Sequence, residues 1–235
     1  MVPVQYKNMV NAADIRNLTV KPATLEDLAS IHDRIKAHAW DAPVNGSRFN
    51  PRLAEDPTKI MMYRKEQDLR TALGELRVLR NGGSGSVGNA WLRYFLKDLD
   101  PERIAQNLRA LTKHQRGYLP SKELSAFVVD EAYRGEVVYR EFGNGRPAQY
   151  FVDRLVEESA REGVRTLFTL TRKPAVFMSL GFREITVPEH LAGKGYSSKM
   201  VIPQELLAEC EKCVLQHNCS EIVMYIDIPS YHPRT

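Results

Sequence analysis

Cysteine is scarce in this 235-residue chain: there are three, all between Cys210 and Cys219. An odd number crowded into one segment is not the framework that staples secreted domains, so a reducing, cytoplasmic setting is expected. Long apolar runs are missing too. No stretch approaches the ~20 consecutive apolar residues that a membrane-spanning helix requires, so no membrane partner is expected. The opening MVPVQYKNMVNAADIRN has no apolar core behind a basic stretch, and Asp14 with sparse arginine argues against a transit peptide. Charge of one sign is also in short supply. The 33 basic and 29 acidic residues leave a net charge of +4 spread along the chain, which does not point to nucleic acid as a partner. Repeats and low-complexity blocks are absent, and 14 Gly with 13 Pro exclude a collagen-like chain.

What is present is a globular composition, 43% hydrophobic and 26% charged, at a length that suits one domain. Residues 1–17 read as an N-terminal extension and 18–235 as a single domain. Within that domain, 41–117 is divergent or inserted, and 203–235 holds the cysteines and a final strand. LTVKP (18–22) alternates like a strand, and Thr24 followed by Asp27 announces a helix that Leu28, Ile31 and Ile35 continue. ELRVLRNGGSGSVGNAWLRYF reads as two strands around a Gly/Ser turn, and Ile104, Leu108 and Leu111 give a helix that ends near Gly117. ELSAFVVD (123–130) has the length and apolar character of a buried strand. After it, Phe151, Val152, Leu155, Val156 and Ala160 line one face of a helix stopped by Gly163. VRTLFTLT is a second buried strand, Pro174 opens a short helix closed by Gly181, and FREITV and SEIVMYIDI are further strands.

Between the first buried strand and the long helix lies REFGNG, which has the pattern Arg-x-x-Gly-x-Gly. A loop there offers unpaired N–H groups and the positive end of a helix dipole, and glycines let a pyrophosphate come close. A third glycine position, an acid after the next strand and a Gly-Lys-Ser/Thr are all missing, which disfavours nicotinamide and ATP. Three landmarks in order, ELSAFVVDEAYRG, GNGRPAQYFVDRLVEESA and LFTLTRKPAVFMSLGFREI, resemble the GNAT superfamily of acetyl-CoA-dependent N-acetyltransferases. The C-terminal PQELLAECEKCVLQHNCSEIVMYID is similar to the ends of compact N-acetylglutamate synthases. The resemblance covers roughly residues 18–40 and 75–228. It implies an α/β (α+β) fold with a mixed, mostly antiparallel sheet flanked by helices, acetyl-CoA as co-substrate, and a homodimer as one assembly seen among relatives. One departure lies in the loop: Tyr133-Arg134-Gly135 is separated from Gly143-Asn144-Gly145 by the seven residues EVVYREF. Either Arg134 opens the loop or Arg140 restores its spacing, and Arg140 is preferred because distance to the helix dipole governs the pyrophosphate.

The reaction the resemblance implies is attack of an amine on the acetyl thioester, which needs a base, an oxyanion donor and a fate for the thiolate. Glu123 stands where relatives carry a base, acting directly or through water. Backbone N–H groups near Val128 and Val129 are the implied donors to the thioester oxygen, while Arg134, Arg140, Gly143, Asn144, Gly145 and Arg146 would hold the cofactor. Met178, after Phe177, stands where many relatives place a tyrosine acid, and Tyr133 and Tyr139 are the substitutes at hand. Plainer readings stand beside these. Glu123 as a solvated strand-end carboxylate, REFGNG as an ordinary strand-to-helix turn, and Phe177 as core packing instead of a cofactor contact are all open.

Cys210, Cys213, His217 and Cys219 put four soft ligands within ten positions. Structural zinc sites usually bring ligand pairs from separated segments, so packed free thiols are preferred to zinc and no metal ligand is assigned. The expected acceptor is the amine of a small amino acid, glutamate first, with Arg77, Arg80, Arg93 or Arg172 available for its carboxylates. Two alternatives stay open: transfer to a protein, peptide or polyamine amine, and a GNAT-fold module that senses acyl-CoA without turnover.

Overall fold

The computed structural model describes residues 17–38, 73–82, 85–94, 102, 105, 109, 116–133, 146–185 and 222–233. They form β1 (Leu18–Pro22), α1 (Leu28–His38), β2 (Leu76–Asn81), β3 (Ser86–Tyr94), β4 (Ser121–Val129), α2 (Pro147–Arg161), β5 (Thr166–Thr171), α3 (Pro174–Ser179), β6 (Arg183–Glu184) and β7 (Ile222–Asp227). The seven strands make one sheet in the order β1-β2-β3-β4-β5-β7-β6. Every neighbouring pair is antiparallel except β4 and β5, which run parallel because α2 carries the chain between them. The sheet is therefore mixed, mostly antiparallel and flanked by helices, as expected for the GNAT fold.

Alternation divides the side chains between two faces. On one, Leu79, Leu92, Leu124, Leu167, Met224 and Ile226 pack with Phe151, Val152 and Leu155 of α2. On the other, Ile31 of α1 meets Leu76, Val78 and Trp91, and farther along Phe168 and Val223 pack with Ile185, Tyr118 and Tyr225. Full burial of such a side chain stabilises the fold by about 1.5–3 kcal/mol.

The expected helix start at Thr24 begins as a 3-10 turn, Leu25–Asp27. The Asp27 carboxylate accepts the Thr24 N–H at 2.8 Å and its hydroxyl at 3.0 Å. At the far end of α1, Arg34 Nε donates to Asp130 at 2.7 Å and its outer nitrogens reach Ser86, fastening the helix to the end of β4 and the start of β3. Gly163 ends α2 with φ of 74°, and Gly181 follows α3 with φ of 94°. A Cβ on Gly181 would lie 2.9 Å from the Tyr231 ring. The Tyr231 hydroxyl is held by Gln149 and Asp153 of α2, so the segment after β7 links α2 to the turn after α3.

Two elements differ from their sequence boundaries. β4 begins at Ser121 because Ser121 and Lys122 already pair with β5, and β6 is limited to Arg183–Glu184. The helix expected over 104–117 falls mostly outside the described residues. No described helix is long and apolar enough to cross a membrane.

Candidate active site at the fork between β4 and β5

Three residue pairs join β4 to β5: Ser121↔Thr166, Lys122↔Leu167 and Glu123↔Phe168. Beyond Glu123, β4 stays with β3 as far as Val129 and leaves β5, so the two strands form a fork with Glu123 at its base. The cause is a bulge. Trp91 pairs with Ser125 and Asn89 with Val128, so only Ala90 opposes both Ala126 and Phe127. The extra residue bends the strand. Ala126 takes φ of 47°, a left-handed conformation that costs a non-glycine residue about 1–2 kcal/mol. Its carbonyl is held by Asn89 Nδ2 at 2.7 Å. Asn89 is 0% exposed, and its Oδ1 is buried with no hydrogen-bond partner among the described residues.

β4 also presses closely on β3 beyond the bulge, since a Cβ on Gly88 would lie 2.9 Å from the Val128 carbonyl oxygen. The Asp130 N–H donates to Val87 on β3 at 2.9 Å. Alternation along β4 then turns the Val128 N–H toward β3 and the Val129 N–H toward the fork. Of the two implied oxyanion donors, only the second has its N–H turned away from β3.

α2 runs back along β4. Its first turn meets the bulge, where the Phe151 and Phe127 rings lie 5.5 Å apart, and just past its other end Glu162 accepts from Lys122 Nζ at 2.9 Å. The N-terminus of α2 therefore faces the mouth of the fork. Arg146 is its N-cap, with no side-chain cap bond, and Pro147 follows with no N–H of its own. An uncapped end with a positive dipole suits an anion.

Glu123 is only 4% exposed and sits on the face away from α2, beside Phe168. This excludes its reading as a solvated strand-end carboxylate. Its neighbour Lys122 points to the α2 face, where it also lies 4.4 Å from the Tyr94 ring centre. The Tyr94 hydroxyl donates to Glu162. Burial, reinforced by that carboxylate, raises the Tyr94 pKa far above the ordinary phenol value. Burial alone would raise the Glu162 pKa, but the hydrogen bonds from Tyr94 and Lys122 outweigh it and hold it below the ordinary value.

The structure does not bring Tyr133 to Glu123. The Tyr133 hydroxyl accepts from Asn81 Nδ2 at 3.0 Å, at the end of β2. That end lies near Ser86 on β3, whereas Glu123 faces Arg93. Seven residues separate these positions, ~23 Å along the strand. Phe177 is half-buried, with ring centres 6.0 Å from Phe127 and 5.2 Å from Phe182.

Two proposed carboxylate ligands are already engaged. Arg77 Nε donates to both oxygens of Glu158 at 2.9 Å, and Arg80 Nη2 reaches Asp27 at 2.7 Å. Both arginines brace helices against the sheet. Arg134, Arg140, Gly143, Asn144, Gly145, Tyr139, the Arg93 side chain and the segment holding Cys210, Cys213, His217 and Cys219 lie outside the described residues. Among the described residues no group of three or more His, Cys, Asp or Glu is placed to hold a metal. Sequence reasoning missed Asn89. Its signal was an asparagine inside an otherwise β-forming run, SVGNAWLRYF, where that residue is depleted.

No family model matches the chain. Among solved structures it is similar to Rv2747 from Mycobacterium tuberculosis in complex with CoA and NLQ, at 15% identity and TM-score 0.47, covering 89% of this chain and 98% of that one. It is also similar to N-acetylglutamate synthase from Neisseria gonorrhoeae complexed with coenzyme A and N-acetyl-glutamate, at 12% identity and TM-score 0.48. That match covers 90% of this chain but 35% of the synthase. A third is FeeM, an N-acyl amino acid synthase from uncultured soil microbes, at 14% identity and TM-score 0.46, with 91% of each chain covered. Likenesses this distant say nothing about activity.

Proposed function

We propose that this protein is an N-acetyltransferase that moves the acetyl group of acetyl-CoA to the amine of a small amino acid, glutamate first. The observation that carries the reading is the fork, with a buried carboxylate at its base and an uncapped helix N-terminus at its mouth. An extended pantetheine arm fits beside a β4 edge that β5 has left, and pyrophosphate fits the end of α2. These features suit acetyl-CoA. When bound, it supplies a thioester carbonyl open to attack by an uncharged amine, with CoA leaving as the thiolate.

Glu123 takes the proton that the acceptor ammonium must lose before its nitrogen can attack. The Val129 N–H, turned toward the fork, donates to the oxygen that gains negative charge as the new C–N bond forms. The proton that the nitrogen sheds as the amide forms passes through solvent to the departing thiolate. The acceptor enters from the Glu123 side of the sheet, and the cofactor phosphates lie toward α2.

The test is mass spectrometry of purified protein incubated with acetyl-CoA and a panel of amino acids, polyamines and peptides. Acetylated amino acid formed in step with free CoA is the expected outcome. Product from a polyamine or peptide alone would move the acceptor to that class. Acetyl-CoA binding without any product would overturn catalysis in favour of a sensor.

A further inference from the structure

Arg172 is the exception among the arginines. Of those buried or half-buried with described side chains, Arg34 pairs with Asp130, Arg77 with Glu158 and Arg80 with Asp27, and Arg146 is also engaged. Arg172 is half-buried, yet it makes no hydrogen bond or ion pair among the described residues, and its Nε is buried without an acceptor. A guanidinium whose Nε is out of water and has no acceptor among the described residues suits a bound anion, which would supply the missing partner. Its planar set of donors matches a carboxylate.

Position narrows the choice of anion. Arg172 directly follows Thr171, the last residue of β5, at the open end of the fork. Phe168 and Leu170 belong to the cluster on the Glu123 face, and strand alternation carries Arg172 to that same face. The cofactor phosphates are served by the α2 N-terminus on the opposite face. From Phe168, the neighbour of Glu123, to Arg172 is four residues, ~13 Å along the strand. Two side chains reaching toward each other across that span leave room for a molecule with an amine at one end and a carboxylate at the other.

We infer that Arg172 binds a carboxylate of the acceptor and so makes an amino acid, not a polyamine, the matching substrate class. The inference rests on the acetyltransferase reading, but its test does not depend on turnover. Calorimetry would measure binding of L-glutamate, glutamine, isoglutamine, other L-amino acids and butylamine to the CoA-saturated protein, in the wild type, Arg172→Gln and Arg172→Lys, with melting temperature as the check on folding. Arg172→Gln should weaken the preferred amino acid by roughly tenfold or more, the strength of a charge-assisted hydrogen bond. Arg172→Lys should recover part of the loss, and CoA affinity should stay unchanged.

Amidation of the carboxylate that Arg172 holds should weaken wild-type binding and remove the difference between wild type and Arg172→Gln. The wild-type amide comparison stands even if Arg172→Gln fails to fold. Failure of every amino acid to bind, or equal binding by wild type and Arg172→Gln, would overturn the inference. So would a loss confined to CoA, which would assign Arg172 to a cofactor phosphate. Acetylation of butylamine without amino-acid binding would leave the acetyltransferase reading intact and sink this one, whereas Arg172-dependent amino-acid binding with no CoA release would do the reverse.

Discussion

The two halves of β4 differ in composition, Ser-Lys-Glu against Ala-Phe-Val-Val, and they differ as much in how they are held. Ser121–Glu123 has a strand on either side, for Lys122 and Glu123 pair with Tyr94 and Arg93 as well as with β5. Lys122 also reaches the residue after α2. Among the described strands Ala126–Val129 pairs with β3 alone, turns at a left-handed alanine and has its Ala126 carbonyl held by one buried amide. The first half is over-determined, and the second is held open by a few specific contacts. Glu123, buried between Arg93 and Phe168, marks the point where the first gives way to the second.

Replacing the residue at that boundary should have the largest effect. Glu123→Gln keeps the shape and removes the base, so turnover should fall by roughly 10²–10⁴ while the melting temperature and acetyl-CoA affinity hold. Unchanged turnover would place the base elsewhere. Next comes the open half: Asn89→Ala removes the amide that holds the Ala126 carbonyl, at a cost of about 1–3 kcal/mol for the polar group left behind. Turnover should drop by more than acetyl-CoA affinity does, measured as kcat against the cofactor dissociation constant. Equal losses would mean that the bulge serves binding alone.

The smallest effect belongs to the closed half. The Glu162 carboxyl is held below its ordinary value of 4.5, so its contribution is complete above that pH and is lost as pH falls through the depressed value. Its partial exposure limits that contribution to at most ~1 kcal/mol. Urea unfolding at falling pH should show the loss in the wild type, and Glu162→Gln should reduce it with turnover at neutral pH unchanged.

Much of the frame was legible because it is local. Pro174 and Gly181 bracket α3, Gly163 ends α2, and Thr24 with Asp27 starts the first helix. Buried strands such as TLFTLT announce themselves as short apolar runs. Pairings across the sheet were not legible. Arg77 and Arg80 look alike in sequence, yet as strand positions of opposite parity they do not share a face: Arg77 meets Glu158 on the α2 side and Arg80 meets Asp27 on the α1 side. Glu123 could be singled out by likeness, but its burial comes from Phe168 and its surroundings, distant in sequence. The bulge at Ala126 has no local signal, because alanine carries no preference for a positive φ.

The link from Tyr231 to α2 and the turn after α3 has a bearing on the order of folding. β5 has only three partners on β4, whereas six of its residues pair with β7, which follows some fifty positions later in the chain. Such distant contacts are slow to form. During synthesis the first three strands, the base of β4 and α2 can gather while β5 still waits for its second neighbour. The fork between β4 and β5 is therefore among the last features to take shape, and a ribosome that stalled before Ile222 would display a sheet with one wall of that fork unsupported.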